Sequence, residues 1–319
     1  MEYESAAFQT AIPELSGQKH LERIELYPGM ELSFVSFDGE DSVSFRHPPT
    51  AYILEINYCI AGRIGWHMDN GNQIYLGPGD FSLHTMDVCA HSRITLPNGH
   101  YRGMILWIDL KRLSSAPPFP LVGCGITGEF LHEKFCKDGA CTALTGNEKI
   151  QRIFSAFYET PEQLRLSYQK IKTLELLLAL SVIEVKKQRR LTEYRFEQVE
   201  IIRKVHDQMT ENLSQRISIE SLAKQYLINA TTLKEMFKSI YGASIAAHIR
   251  EHRMEGAAEL LLSTDLSIAQ IAAKVGYDSQ SRFSSSFKQY FGMLPKEYRR
   301  QRDGAMVVEH PRDSGLDFV

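Results

Sequence analysis

One pattern occurs twice in the last third of the chain, and it restricts the fold more than any other feature. The first copy reads Ile219-Glu220-Ser221-Leu222-Ala223-Lys224-Gln225-Tyr226, then Asn229 and a helix holding Leu233, Phe237-Lys238 and Tyr241-Gly242. The second reads Ile268-Ala269-Gln270-Ile271-Ala272-Ala273-Lys274-Val275, then Ser279 and a helix holding Phe283, Phe287-Lys288 and Phe291-Gly292. Each copy has alanine at the tightest helix crossing (Ala223, Ala272), a short turn, and a second helix with one apolar face. These are the parts of a helix-turn-helix, whose second helix can enter a DNA major groove. A single copy would also suit a plain three-helix bundle; two copies 50 residues apart argue against that. The stretch 244–262 between them reads as one helix, roughly 28 Å long at 1.5 Å per residue. That approaches the ~34 Å turn of B-DNA, so the two second helices can meet successive major grooves on one face.

The helix ends around this repeat are clearly marked. Ser218, Asn229, Ser244, Ser267 and Ser279 each stand just before a helical stretch, where a side-chain oxygen can accept from its first unpaired N–H groups. Gly242 and Gly292 close the two second helices, where a left-handed residue is needed. The expected helices are 199–212, 218–226, 230–241, 244–262, 268–275 and 280–291.

Residues Ile271-Ala272, Val275-Gly276-Tyr277, Ser281-Arg282-Phe283-Ser284, Phe287-Lys288, Phe291-Gly292, Pro295 and Glu297-Tyr298-Arg299 make 197–300 resemble the AraC/XylS family of bacterial transcription regulators. That resemblance implies a monomeric two-motif module that binds double-stranded promoter DNA and, as an activator, helps RNA polymerase. Matched to the family, Thr231, Thr232, Lys234 and Glu235 face the bases from the first recognition helix. Gln280, Ser281, Arg282, Ser284 and Ser285 do so from the second. The chemistry is suitable, since Gln pairs with adenine, Arg with guanine and Ser with either. Glu235 departs from the basic residue many relatives place there; it either accepts from cytosine N4 or is a repelled rim charge. Lys238, Lys288, Lys296, Arg299 and Arg300 form the expected phosphate-contacting group, although Lys238 and Lys288 also stand where they would cap helix ends. Charge is segregated only weakly. Residues 197–302 carry 15 Lys and Arg against 12 Asp and Glu, and residues 1–196 carry 20 against 23. The DNA face is therefore argued from positions more than totals.

Before residue 110 the rhythm differs. Short β-rich runs at 32–37, 51–60, 63–68, 73–76, 81–85, 92–96 and 103–109 alternate with turn signals such as Asp69-Asn70-Gly71, Gly77-Pro78-Gly79-Asp80 and Pro97-Asn98-Gly99. Seven or so such strands predict a small antiparallel barrel or sandwich. Helical spacing appears at 150–158 and 161–187, where Ile171, Leu174, Leu178, Val182 and Val185 recur three and four apart. That stripe either packs on the barrel or, as the family resemblance implies, pairs two copies into a homodimer through Ile171, Leu174, Leu178 and Val182. The expected architecture is a cupin-like antiparallel β-barrel with a helical dimerisation segment (1–190), a linker (191–196) and an all-α double helix-turn-helix (197–302). A disordered tail (303–319) is expected to follow.

Glu55, Tyr58-Cys59, Gly62-Arg63, Trp66, Pro78-Gly79-Asp80, Ser82-Leu83-His84, Lys172 and Leu174-Glu175-Leu176-Leu177 make the first half resemble the cupin-like sensor of such regulators, in the PchR/YbtA branch. The effectors of that branch are ferric siderophores, so the resemblance implies a small-molecule effector of iron-chelate type. Arg46, Arg63, Trp66, His84 and Trp107 carry the charge and rings that an anionic, partly aromatic effector needs. Each alone also reads as a structural residue, and His84 and His91 as hydrogen-bonded core histidines.

Two rival classes are a cupin-type enzyme fused to a DNA-binding domain and an architectural DNA-binding protein without a sensor. A catalytic cupin holds its metal with closely spaced histidines, yet His67 has no second histidine within four residues. No catalysis, cofactor or metal is therefore expected. The five cysteines (Cys59, Cys89, Cys124, Cys136, Cys141) form no CxxC pair, and Cys124, His132, Cys136 and Cys141 match no zinc-finger spacing. A purely architectural protein has no use for a long non-basic first half. The net charge of −3, the lack of an apolar run of about 18 residues and the acidic, polar start place the chain in the cytoplasm at the nucleoid, away from membranes.

Overall fold

The computed structural model describes residues 23–39, 43–68, 71–215 and 217–300, and for 43–46 the backbone alone. The expected disordered tail, 303–319, lies outside the described residues. The chain forms two compact units, Met1–Gln198 and Val199–Val319.

In the first unit, six antiparallel strands form one sheet in the order β1 (Arg23–Tyr27), β2 (Met30–Asp38), β9 (His100–Asp109), β4 (Ile53–Gly62), β7 (Asp80–Thr85) and β10 (Thr142–Thr145). A second sheet runs β11 (Tyr194–Arg195), β6 (Asn72–Leu76), β5 (Ile64–His67), β8 (His91–Thr95) and β3 (Val43–Arg46). Side chains alternate across a strand, and β4 shows the consequence. Leu54, Ile56 and Tyr58 belong to the core shared with helices α1 (Leu110–Ser115), α2 (Gly128–Phe135), α3 (Glu148–Ser155) and α4 (Arg165–Val182). Tyr58 stacks on Phe154 with ring centroids 4.2 Å apart. On the other face, Cys59 shares a core with Ile64, Ile74, Leu76 and Ile94 of the second sheet. The layers are thus helices, six-stranded sheet and five-stranded sheet.

Two expectations change here. The barrel is a two-sheet sandwich, for among the described residues no ladder joins an edge of one sheet to an edge of the other. The candidate closing strands are too short, four residues in β10 and two in β11. Residues 191–196, expected to be a linker, are tied down. Thr145 N donates to Arg189 O and Leu191 N to Ala143 O, both at 2.9 Å, and Tyr194 and Arg195 pair with Gln73 and Asn72. The chain crosses from the edge of one sheet to the edge of the other.

The proposed dimer stripe also divides. The helix expected over 161–187 is regular only in α4, because Ile183 takes extended backbone angles (φ −64°, ψ 131°) and the chain resumes as a single 3-10 turn. Leu174 is 8% exposed and belongs to the core, whereas Ile171, Leu178 and Val182 are 62%, 43% and 71% exposed. Leu174 is therefore a packing residue, since it lies on the side of the helix turned to the sheet.

The second unit opens within α5 (Phe196–Thr210). Helices α6 (Ile219–Gln225) and α7 (Ala230–Tyr241) make the first helix-turn-helix, α8 (Ile245–Ser263) follows, and α9 (Ile268–Lys274) and α10 (Gln280–Phe291) make the second. Helix α11 (Pro295–Arg299) follows with Pro at its start. The expected caps form: Ser218, Asn229, Ser244, Ser267 and Ser279 accept from the N–H groups of Ser221, Thr231, Ala247, Gln270 and Arg282. Gly242 and Gly292 end α7 and α10 at φ 80° and 76°. Phe283 and Phe287 are fully buried among Met254, Ala257, Leu261, Ile271 and Ala272. Each contributes about 1.5–3 kcal/mol relative to exposure. Among the described residues no helix is long and apolar enough to cross a membrane.

Candidate functional site

The two recognition helices present polar faces opposite their buried ones. On α7, Leu233, Met236, Phe237 and Ile240 are buried while Thr231, Thr232, Lys234, Glu235 and Lys238 are exposed. On α10, Phe283 and Phe287 are buried, Gln280, Ser281, Arg282, Ser285 and Lys288 are exposed, and Ser284 is half-buried. Helical periodicity fixes this division, because the apolar residues recur at three and four. Lys296 and Arg300 are exposed. Arg299 is half-buried and donates from Nη2 to the Leu266 carbonyl at 2.5 Å, so one arm of its guanidinium serves the domain's own packing.

A groove of about 740 Å³ opens beside α10, with Arg250, Arg253, Tyr277 and Arg282 among its walls and Glu220 and Asp278 also present. Arg250 and Arg253 on α8 escape a sequence reading confined to the recognition helices. Their three-residue spacing on the connecting helix was the available signal.

The turn inside each motif uses a left-handed residue. Ile228 N donates to Ala223 O at 3.0 Å, and Tyr277 N to Ala272 O at 2.9 Å. The left-handed position is Gly276 in the second motif (φ 79°) and Leu227 in the first (φ 53°). Gly276 has a second reason to be glycine: a Cβ there would lie 2.4 Å from the Leu213 carbonyl oxygen.

In the first unit, the face of the six-stranded sheet turned to its partner sheet is polar at its centre. Register puts Trp107, Glu55 and His84 in one row across β9, β4 and β7. Ser33, Ile105, Asn57 and Ser82 form the next row across β2, β9, β4 and β7. Trp107 Nε1 donates to Glu55 Oε2 at 2.9 Å and Asn57 Nδ2 to Glu55 Oε1 at 2.8 Å. His84 Nε2 lies 3.5 Å from Glu55 Oε1. Among the described residues, four buried atoms on this face lack a hydrogen-bond partner: Ser33 Oγ, Asn57 Oδ1, Ser82 Oγ and His84 Nε2. Buried polar groups are normally paired, and this concentration of polar atoms makes the face the candidate binding surface of the unit. Burial holds the His84 imidazole below its ordinary pKa, against the opposing pull of Glu55.

Trp66, Met68, Ile74, Ser82, His84, Val88, Cys89 and Cys141 enclose a cavity of about 10 Å³ between the sheets, the size of about one water-sized sphere. Of the expected effector residues, Trp66 and His84 line it, with rings 6.2 Å apart; Trp107 does not line it but donates to Glu55, which lies beside His84. Arg63 does not line it. Its Nη2 lies 2.5 Å from where a Gly77 Cβ would be, and burial lowers its pKa while Asp80 opposes the shift. Arg46 ends β3 opposite His91, and its side chain lies outside the described residues. Sequence reading overlooked Glu55, Asn57, Ser82 and Cys89 as site residues. The signal lay in β4, where Glu55 and Asn57 interrupt an apolar run at the two-residue strand period.

A family profile described as a helix-turn-helix domain matches residues 222–301. The virulence regulon transcriptional activator VirF of Yersinia enterocolitica is 28% identical over 258 residues, covering 75% of this chain and 86% of VirF. The HTH-type transcriptional activator AarP of Providencia stuartii is 34% identical over 93 residues, covering 29% of this chain and 69% of AarP. The chain belongs to the AraC family of transcriptional regulators. It is a DNA-binding protein of transcription, and the AraC-type domain is its second unit. Among solved structures, the C-terminal domain of AraT, a response regulator from Geobacillus stearothermophilus, is 37% identical over 36% of this chain and 96% of that one, with a TM-score of 0.32.

Proposed function

We propose that this AraC-family regulator is an effector-controlled transcriptional activator that sets α7 and α10 into successive major grooves of a promoter and assists RNA polymerase there. The observation that carries the reading is the repeated division of these helices into a buried apolar face and an exposed face of Thr, Lys, Gln, Ser and Arg. Gln280 and Arg282 have the bidentate chemistry for adenine and guanine. Lys238, Lys288, Lys296 and Arg300 supply phosphate contacts, with Arg250 added from α8. The sandwich is the sensing unit, and the space between its sheets takes the effector. The iron-chelate identity is supported by the PchR/YbtA resemblance alone. A space of about 10 Å³ favours an effector of one or a few atoms over one needing a pocket of roughly 300–1,000 Å³. A second copy of the chain covers Ile171, Leu178 and Val182, which line one side of α4 at helical spacing.

The test is in vitro selection of duplexes by the full chain, followed by binding at several salt concentrations. A recovered motif with two separated blocks, bound with an affinity that falls steeply with salt, supports the reading. Recovery of no motif, with equal affinity for all duplexes, contradicts it.

A further inference from the structure

The row that crosses the six-stranded sheet ends in a cluster of metal-ligating atoms. Glu55, His84 and Cys89 are all buried, and a ligand atom from each lies within 4.8 Å of the other two. A fourth donor adjoins them: His47 Nε2 is 3.4 Å from Cys89 Sγ. Three donors thus converge, and His47 joins them through Cys89, which packs with Trp107, Ile53 and Met86.

We propose that His47, Glu55, His84 and Cys89 form a binding site for a transition-metal ion of the zinc type, a proposal that rests on reading the space between the sheets as the effector site. Two of the contacts fit it. In a tetrahedral zinc site the bond lengths make a sulfur–nitrogen edge about 3.5 Å and a nitrogen–oxygen edge about 3.4 Å. The Cys89–His47 pair at 3.4 Å and the Glu55–His84 pair at 3.5 Å match two such edges. Charge favours it as well. A divalent ion, one carboxylate, one thiolate and two neutral imidazoles sum to zero, which is what a buried site requires.

The surroundings orient the nitrogen and oxygen donors. His47 Nδ1 lies 3.1 Å from the Pro48 carbonyl, which can only accept, so Nδ1 carries the proton and Nε2 is left with its lone pair toward Cys89. Glu55 is gripped at both oxygens by Asn57 and Trp107. Among the described residues, His84 Nε2 has no hydrogen-bond partner, and it stands 3.5 Å from Glu55 Oε1. Such outer contacts are the usual support of metal ligands. The sulfur and nitrogen donors select zinc-like ions over calcium or magnesium. On binding, the Cys89 thiol gives its proton to solvent as the metal–sulfur bond forms.

Cobalt(II) tests this on the full reduced chain, since a cobalt–thiolate bond gives a near-ultraviolet charge-transfer band and tetrahedral cobalt gives intense visible bands. Both should appear, and zinc should displace them. Cys89→Ser should remove the charge-transfer band, and His84→Gln should weaken cobalt binding by about tenfold or more. The other histidine group, His206, His248 and His252 in the second unit, has no thiolate and cannot produce that band. If Cys89→Ser does not fold, His47→Gln reads the same question and should shift the visible bands and weaken binding. No charge-transfer band in the parent chain, a band that persists in Cys89→Ser, or unchanged binding in His47→Gln overturns the site. Loss of the site with specific DNA binding intact leaves the regulator reading standing. A cobalt band in a chain that selects no DNA motif does the reverse.

Discussion

At the scale of single residues, the two turns offer a matched experiment. Leu227 is 95% exposed and held at φ 53°, a conformation that costs a non-glycine residue about 1–2 kcal/mol. Leu227→Gly relieves this at some cost in unfolded-chain entropy, so urea denaturation should show it neutral to about 1 kcal/mol more stable. Gly276→Ala should destabilise by at least about 1 kcal/mol, because it adds the same strain and a 2.4 Å approach to the Leu213 carbonyl. A Gly276→Ala chain as stable as its parent would mean that the turn rearranges freely. On the DNA face, Gln280→Ala should cost about 1–3 kcal/mol on the preferred duplex and relax selection at one base position. Equal weakening on every duplex would make Gln280 a backbone contact. Gln280 was legible because caps, turn glycines and buried phenylalanines are local signals, whereas the left-handed turn at Leu227 carries no glycine to announce it. The polar row between the sheets was not legible: Glu55, His84 and Trp107 are neighbours only through strand register, and Cys89 and His47 meet across 42 residues.

At the scale of elements, the boundaries of α7 and α10 and the positions of β2, β4, β5, β6, β7, β8 and β9 follow from turn and cap chemistry in the sequence. What escaped was structure decided by tertiary pairing. β10 carries little alternation of its own and exists because Thr142–Thr145 pair with β7. β11 is two residues long and is defined by β6. Helix α1 starts directly on the last residue of β9, where Asp109 caps it by accepting from Arg112 N, so no loop announces it. The division of the α4 stripe likewise depends on which side the sheet lies. It also sharpens the assembly test. Ile171→Glu with Val182→Glu alters only exposed positions and should give a folded monomer by sedimentation from a dimeric parent. Leu174→Glu should instead damage folding, because it buries a charge in the helix–sheet core. A parent chain that sediments as a monomer at all concentrations would remove the dimer from the account.

At the scale of the whole molecule, binding cannot rest on bulk attraction. The chain is net negative, and residues 197–302 exceed neutrality by only a few charges, so affinity must come from basic groups placed along one face. The slope of log affinity against log salt should therefore report a limited set of phosphate contacts, each adding about 0.9. Lys296→Ala should lower that slope by about one while leaving the preferred sequence unchanged. Two recognition helices joined by the nineteen-residue α8 are expected to read DNA at two separate places. Hydroxyl-radical footprinting of the full chain on a selected duplex reads this out. Two protected patches about one helical turn apart are predicted, with Lys234→Ala weakening one and Arg282→Ala the other. A single patch, or two patches that both variants weaken alike, would contradict it.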